Sequence, residues 1–246
     1  MNILVCVAKT PETTAPINFS GDGTEFVTTD VKYIMNPADE WYALVRAIEL
    51  KEQHGGSVTI VNVGPASNDA IIRKGLAIGA DKAVRIDAEP ESSIGVAKQI
   101  AEYARGEKFD LIFTGKETID YNGSETGGMI AEFLELPYVS YGIHLEMDGN
   151  TATIKREIEG GEQTVRVDAP FVVSAAKGMA EQRIPNMRGI MMAKRKPLQV
   201  VEPVDYTDLS KPVHYRKPED KGGVRMLEPD QMSELVRLLH EEAKVI

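Results

Sequence analysis

The first 134 residues alternate short apolar runs with stretches whose apolar residues recur at helical spacing, and that alternation commits a chain to a parallel sheet covered by helices. Asn2–Ala8, Ser57–Val63, Lys82–Asp87 and Asp110–Thr114 read as strands. The clearest helix opens at Asn36-Pro37, where Asn caps, Pro fits the first helical position, and Asp39 and Glu40 oppose the helix dipole. Trp41, Leu44, Val45 and Ile48 follow at i, i+3, i+4 and i+7, so one face packs on the sheet. Further helices are expected over Asn68–Ile78, Ser92–Arg105 and Ser124–Leu134.

From Tyr138 the texture changes. Tyr138–Met147, Thr151–Glu157 and Thr164–Val167 read as antiparallel strands, turned at Asp148-Gly149-Asn150 and Gly160-Gly161, and Phe171–Ala175 as a short buried strand. Beyond Lys196 five prolines (Pro197, Pro203, Pro212, Pro218 and Pro229) precede the last helix, and such a stretch builds no compact core, because proline joins neither ladders nor helix interiors. Met232, Leu235, Val236, Leu239 and Ala243 then make an apolar stripe on a terminal helix, which packs either on its own domain or on another subunit. The expected fold is α/β: a Rossmann-like parallel sheet with covering helices, of the adenine-nucleotide-binding type, plus antiparallel strands and an extended C-terminal arm. The expected units are residues 1–196 and an arm over 197–246.

Composition excludes several classes of function. With 28 Lys and Arg against 38 Asp and Glu, the net charge of −10 argues against nucleic acid or an anionic membrane as a general partner. The longest apolar runs, such as Ala169–Ala176, are far shorter than the roughly 20 residues of a membrane span. Lys9 ends the apolar run Ile3–Ala8 with no cleavage site after it, so neither a signal nor a transit peptide is expected. A cytoplasmic chain is therefore expected, or one of the mitochondrial matrix if the source is eukaryotic. The single Cys6 forbids an intrachain disulfide and agrees with a reducing compartment.

No catalytic signature emerges. His54, His144, His214 and His240 stand at no metal-ligand spacing, and there is no nucleophile elbow, no Lys-Ser/Thr phosphate loop and no G-x-G-x-x-G after a strand. One segment does stand out, Thr114 through Gly128, which leaves the carboxyl end of a buried strand and opens a helix. Ligands of open parallel sheets sit in that crevice. Amides of Asn122, Gly123, Ser124, Glu125 and Thr126 at a helix start would favour an anion. Val7-Ala8-Lys9, Asn36 and Val63-Gly64-Pro65 lie on the same sheet edge. From spacing alone the loop is either a mononucleotide cradle or a plain strand-to-helix connection. The second unusual stretch carries Arg183, Arg188, Lys194, Arg195 and Lys196 with no carboxylate between Glu181 and Glu202, punctuated by Met187, Ile190, Met191 and Met192. Methionines within a basic collar suit docking onto acidic partners of varied shape; the alternative is a solvated helix with its methionines turned inward.

Over its whole length the chain resembles the beta subunit of electron-transfer flavoproteins. The resemblance rests on Leu4-Val5-Cys6-Val7-Ala8-Lys9, Met35-Asn36-Pro37, Gly64-Pro65, Ala77-Ile78-Gly79-Ala80-Asp81, Gly115-Lys116 with Ile119-Asp120 and Thr126-Gly127, Arg156-Glu157-Ile158-Glu159-Gly160-Gly161, and Arg183 with Arg188-Gly189-Ile190-Met191 and Ala193-Lys194. It implies a heterodimer with an alpha subunit that carries redox-active FAD, this chain binding AMP and having no catalytic residues of its own. The implied AMP contacts are Val7, Asn36, Pro37, Ala38, Asp39, Val63, and the loop Gly115 through Thr126, including Asp120, with the phosphate on the Asn122–Thr126 amides. Thr126-Gly127 resembles the AMP type rather than the electron-bifurcating type, in which this subunit holds a second FAD and NADH is oxidised. The resemblance further implies a docking segment near Arg183–Lys196 with Met187 as its anchor beside Arg188, Ile190 and Met191, a Glu157 that pairs with the mobile FAD domain, and a C-terminal arm and final helix over 197–246 that embrace the alpha subunit. Acyl-CoA dehydrogenases would deliver electrons and a quinone oxidoreductase would take them. Outside the family, an adenine-nucleotide hydrolase on the same kind of sheet is the competing expectation.

Overall fold

The computed structural model describes residues 1–219 and 222–246. Its centre is a nine-stranded sheet built from β1 (Asn2–Cys6), β4 (Ser57–Val63), β5 (Lys82–Ile86), β6 (Leu111–Gly115), β7 (Tyr138–Asp148), β8 (Thr151–Ile158), β9 (Gly161–Asp168), β10 (Phe171–Ala175) and β11 (Leu198–Val201). Their order across the sheet is β11-β5-β4-β1-β6-β10-β7-β8-β9. All pairings from β11 to β7 are parallel, and β8 and β9 extend β7 as an antiparallel meander. A separate two-stranded ladder joins β2 (Lys9–Pro11) to β3 (Tyr33–Met35).

Residues of alternating parity in the central strands feed two cores. Ile3, Val5, Val58, Ile60, Leu111, Phe113, Phe171 and Val173 pack with Leu44, Ile48, Ile72 and Leu76 of α1 (Asp39–His54) and α2 (Asp69–Ile78). Leu4, Cys6, Val61, Ile112 and Val172 pack on the opposite face with Ala97, Ile100, Ile130 and Ala131 of α3 (Ser93–Arg105) and α4 (Thr126–Leu134). Strands buried on both faces read as continuous apolar runs for this reason. Each fully buried Leu, Ile or Phe contributes about 1.5–3 kcal/mol. After β1 the chain builds outward through β4 and β5, then returns to place β6 on the other side of β1. The strand order therefore reverses between β1 and β6, which is where an open α/β sheet leaves a crevice.

Three departures from expectation bear on the site and the arm, while β9 also starts at Gly161, earlier than the expected Thr164. The first helix starts at Asp39, because Asn36 is fully buried and its side chain is engaged elsewhere, and Ala38 turns the chain at φ 60°. The fourth helix starts at Thr126, because Asn122 and Ser124 take left-handed backbone at φ 50° and 53°. Leu198–Val201, expected in the arm, is the edge strand β11 alongside β5.

The arm then crosses α3. Gln99 exchanges two hydrogen bonds with the backbone of Val204, at 2.7 and 2.9 Å. Asp208 accepts the Glu91 and Ser92 amides at 2.9 and 3.0 Å and the Ser92 hydroxyl, the cap of α3. Further on, Tyr215 stacks on Phe19 with centroids 5.0 Å apart. The short α5 (Met187–Ala193) packs on α2, whereas the terminal α6 (Met232–Arg237) and the π-helical turn Leu238–Glu242 bury no residue. No helix among the described residues is long and apolar enough to cross a membrane.

Candidate functional site

The crevice between β1 and β6 is held together by two buried side chains. Asn36 accepts the Ile119 N–H at 3.1 Å and donates to the Glu117 carbonyl at 2.9 Å, while its own N–H donates to the Ala8 carbonyl at 3.0 Å. Glu40, in the first turn of α1, accepts the Ala8 N–H at 2.7 Å. Its Cγ lies 2.7 Å from where a Cβ would stand on Gly115, so only glycine lets the end of β6 approach α1 this closely. The segment after β1, the start of α1 and the loop after β6 thus meet.

The fourth segment, Val63-Gly64-Pro65, joins through amides and a buried cation. Asn62 donates to the Val7 carbonyl at 2.8 Å and accepts from Asn68 at 2.9 Å. Arg85 donates to the Gly64 carbonyl at 3.0 Å and pairs with Asp69 at 2.9 Å and Asp87 at 2.5 Å. All four segments singled out in the sequence, carrying Val7, Asn36–Asp39, Val63 and Gly115–Thr126, therefore end at one sheet edge. Asn62, Asn68 and Arg85 carry this assembly without having stood out in the sequence, because their partners lie on other loops.

The loop after β6 makes a concave run of amides. Ser124 is left-handed and Glu125, at φ −115° and ψ −26°, right-handed; successive residues of opposite hand turn their N–H groups to one side and form an anion nest. The amides of Gly123, Ser124, Glu125, Thr126 and Gly127 meet no acceptor among the described residues, and they open onto α4. Gly127 lets the helix sit on the end of β6, since a Cβ there would lie 2.7 Å from Thr114 Oγ1. Asn122 departs from the expected set: its N–H closes a turn onto the Thr118 carbonyl at 2.9 Å. The Ser124 hydroxyl, too, is engaged, donating to Glu117 at 3.0 Å.

Charge around the crevice is mostly negative. Burial would raise the Glu117 carboxyl, but hydrogen bonds from Ser124, Lys116 and Asn122 hold it below its usual range. Burial raises Asp39, with Glu117 and Glu157 adding to it against the pull of Lys116. Lys116, 3.3 Å from Glu117, is held protonated against its burial by Glu117, Asp39 and Glu157. Glu157 on β8 adds its charge to the field at Asp39 and Lys116. It also faces Glu162 across the β8–β9 ladder, a like-charge pair that favours an incoming cation. Asp120 and Tyr121 are exposed at the rim.

Packed on α2, α5 is a short helix with an exposed ridge and a fixed base. Asn186 caps it by accepting the Gly189 N–H at 2.8 Å. Arg73 donates to the carbonyls of Ala193 and Lys196 at 2.7 and 2.5 Å, and Lys196 donates to those of Leu76 and Ala80 at 2.9 and 2.5 Å. Trp41 donates to the Arg183 carbonyl at 3.2 Å. The methionines face outward, Met187 at 75% exposure and Met191 at 68%, with Arg188 and Ile190 exposed between them. Two of the basic residues, Arg183 and Lys196, serve the base; Arg188, Lys194 and Arg195 remain on the surface.

A family model described as the electron transfer flavoprotein domain matches residues 24–206. Over the full length of both chains the sequence is 35% identical to the electron transfer flavoprotein subunit beta of Bacillus subtilis. The corresponding subunit of Bradyrhizobium diazoefficiens is 33% identical, again over both full lengths. The human subunit is 35% identical over 83% of this chain and 82% of its own.

Proposed function

The chain belongs to the electron transfer flavoprotein family, among its beta subunits, and from that premise we propose that it works as the adenylate-holding half of a heterodimeric electron carrier. The alpha subunit is its companion, and FAD bound there supplies the redox chemistry. The present chain contributes a rigid base, a structural AMP and a docking helix, and is itself a carrier subunit rather than an enzyme.

The single observation that supports the adenylate is the nest at Ser124–Thr126, whose unpaired amides lie at the end of β6 where four segments meet. Gly123 through Thr126 would hold the phosphate, and Val7, Asn36–Asp39 and Val63 the rest of the nucleotide. A ligand bound only by the folded chain stabilises it in proportion to the logarithm of its concentration, so AMP acts here by tying segments together. The exposed methionine ridge on its fixed base supports docking of acyl-CoA dehydrogenases, from which electrons pass through the heterodimer towards a quinone oxidoreductase.

The heterodimer purified from co-expression, denatured in acid and resolved by chromatography, tests this reading. AMP together with one FAD is the expected content. A second flavin in place of AMP would instead make this a bifurcating subunit fed by NADH, and turnover of added ATP would make it a hydrolase.

A further inference from the structure

Two charged side chains are buried among the described residues, Arg85 and Glu40, each 5% exposed. Arg85 is neutralised by Asp69 and Asp87. Glu40 has no Lys or Arg within 4 Å among the described residues, although it lies directly beneath the crevice. Its stem packs against Gly115, and its head holds the Ala8 amide.

The titratable groups that act on it are acidic. Asp120 acts from the loop after β6 and Asp39 from α1, and on the other face of the sheet the buried Cys6 thiol is raised by its own burial and by Glu40. The cations nearest in sequence to the site are turned elsewhere: Lys9 lies 4.7 Å from the Tyr33 ring centroid and Lys116 is paired with Glu117. A buried carboxylate with no cation takes up a proton rather than bear its charge. Burial, then Asp120 and Asp39, push Glu40 up to about 8 against the Ala8 and Asn36 hydrogen bonds.

We propose that Glu40 is a positioning residue of the adenylate site that acts as a neutral acid, joining the Ala8 segment to the Gly115 loop, and that its ionisation loosens the nucleotide. The inference rests on the adenylate reading above. Gly115 begins the loop that ends in the nest, so a charge appearing on Glu40 repels an anion above it and repels Asp120 on that same loop. The neutral form does neither, while its carbonyl oxygen still accepts the Ala8 N–H. Retention of the nucleotide is then linked to one proton.

The test uses the intact heterodimer, wild type and Glu40→Gln, loaded with AMP and dialysed between pH 6.5 and 9.5. Glutamine keeps an acceptor for Ala8 and removes the titration. Wild-type affinity for AMP should weaken above pH 8, by up to about tenfold per pH unit for one linked proton, whereas Glu40→Gln should hold AMP almost independently of pH. Parallel curves for the two proteins would overturn this inference and leave the adenylate reading standing. A heterodimer that holds no AMP at any pH sinks both. Infrared spectroscopy of the wild type provides a measurement that needs no variant. A protonated buried carboxyl band at pH 7 that vanishes on alkaline titration supports the proposal, and absence of that band at pH 7 refutes it.

Discussion

Asn36 holds the carbonyl of Glu117 at 2.9 Å and the N–H of Ile119 at 3.1 Å, so a residue before the first helix fixes a loop some eighty positions along the chain. Asn36→Ala removes donor and acceptor together and leaves two part-buried backbone groups without that partner, at up to about 1–3 kcal/mol for each that stays unsatisfied. The expected result is a lower melting temperature and a heterodimer that loses most of its AMP on dialysis. Retention equal to that of the wild type would count against the four-segment site.

On α5 the exposed ridge and the fixed base are separable. Met187→Ala should slow electron transfer from partner dehydrogenases without lowering the melting temperature, since that side chain is largely exposed. Arg73→Ala should do the opposite first: it frees the Ala193 and Lys196 carbonyls and destabilises the segment. Stopped-flow reduction with a dehydrogenase, run beside thermal melts, distinguishes them.

Two truncations test the arm. A chain ended after Ser210 keeps Val204 on Gln99 and Asp208 on the α3 cap, and should fold normally yet fail to retain the alpha subunit on gel filtration. A chain ended after Pro203 loses these anchors as well and should melt earlier. A heterodimer that survives the first truncation would show that the segment after Ser210 does not hold the alpha subunit.

Much of this was legible in the sequence. The strands announced themselves because residues buried on both faces are apolar without interruption, as at Ile3-Leu4-Val5-Cys6. Helix starts were less legible. Asn36 has the identity of a cap, but its partners Glu117 and Ile119 are remote, and no local pattern reports a remote hydrogen bond. Ser124 likewise looks like a helix start until its left-handed backbone makes it part of the nest. Glu40 reads as one more acid opposing a helix dipole; only the packing of Gly115 against it shows that it faces inward. The strand Leu198–Val201 was hidden by the prolines around it, which here border an edge strand, where proline is tolerated.

The ionisation of Glu40 also bears on folding. An acid whose folded value lies near 8, far above its ordinary 4.5, destabilises the native chain increasingly as pH rises between those values, and by a constant amount above them. Glu40→Gln should therefore melt higher than wild type at pH 8.5 in the nucleotide-free protein, by about 2–4 °C per kcal/mol recovered, with the gap closing towards pH 5. A gap that does not change with pH would argue that the substitution acts through packing alone.

Asp208 behaves with the reverse sign. Its burial would raise it, but the Ser92 hydroxyl and the Glu91 and Ser92 amides hold it below the usual carboxylate range. The stabilisation it gives is present above the ordinary value and lost as pH falls through the lowered one. Mild acid, below about pH 4, should release the arm at Asp208 before the sheet unfolds, seen as early proteolytic cleavage between Val204 and Ser210.

The bare terminal helix carries a cost for any copy of the chain made alone. Leu235, Val236 and Met232 are exposed on a terminal helix that buries none of its own residues. An orphan copy therefore displays what proteases and self-association both seek, and its abundance should be capped by the supply of its companion rather than by its own synthesis. Raising the dose of this gene alone should bring the soluble level to a plateau, and adding the companion gene should lift it.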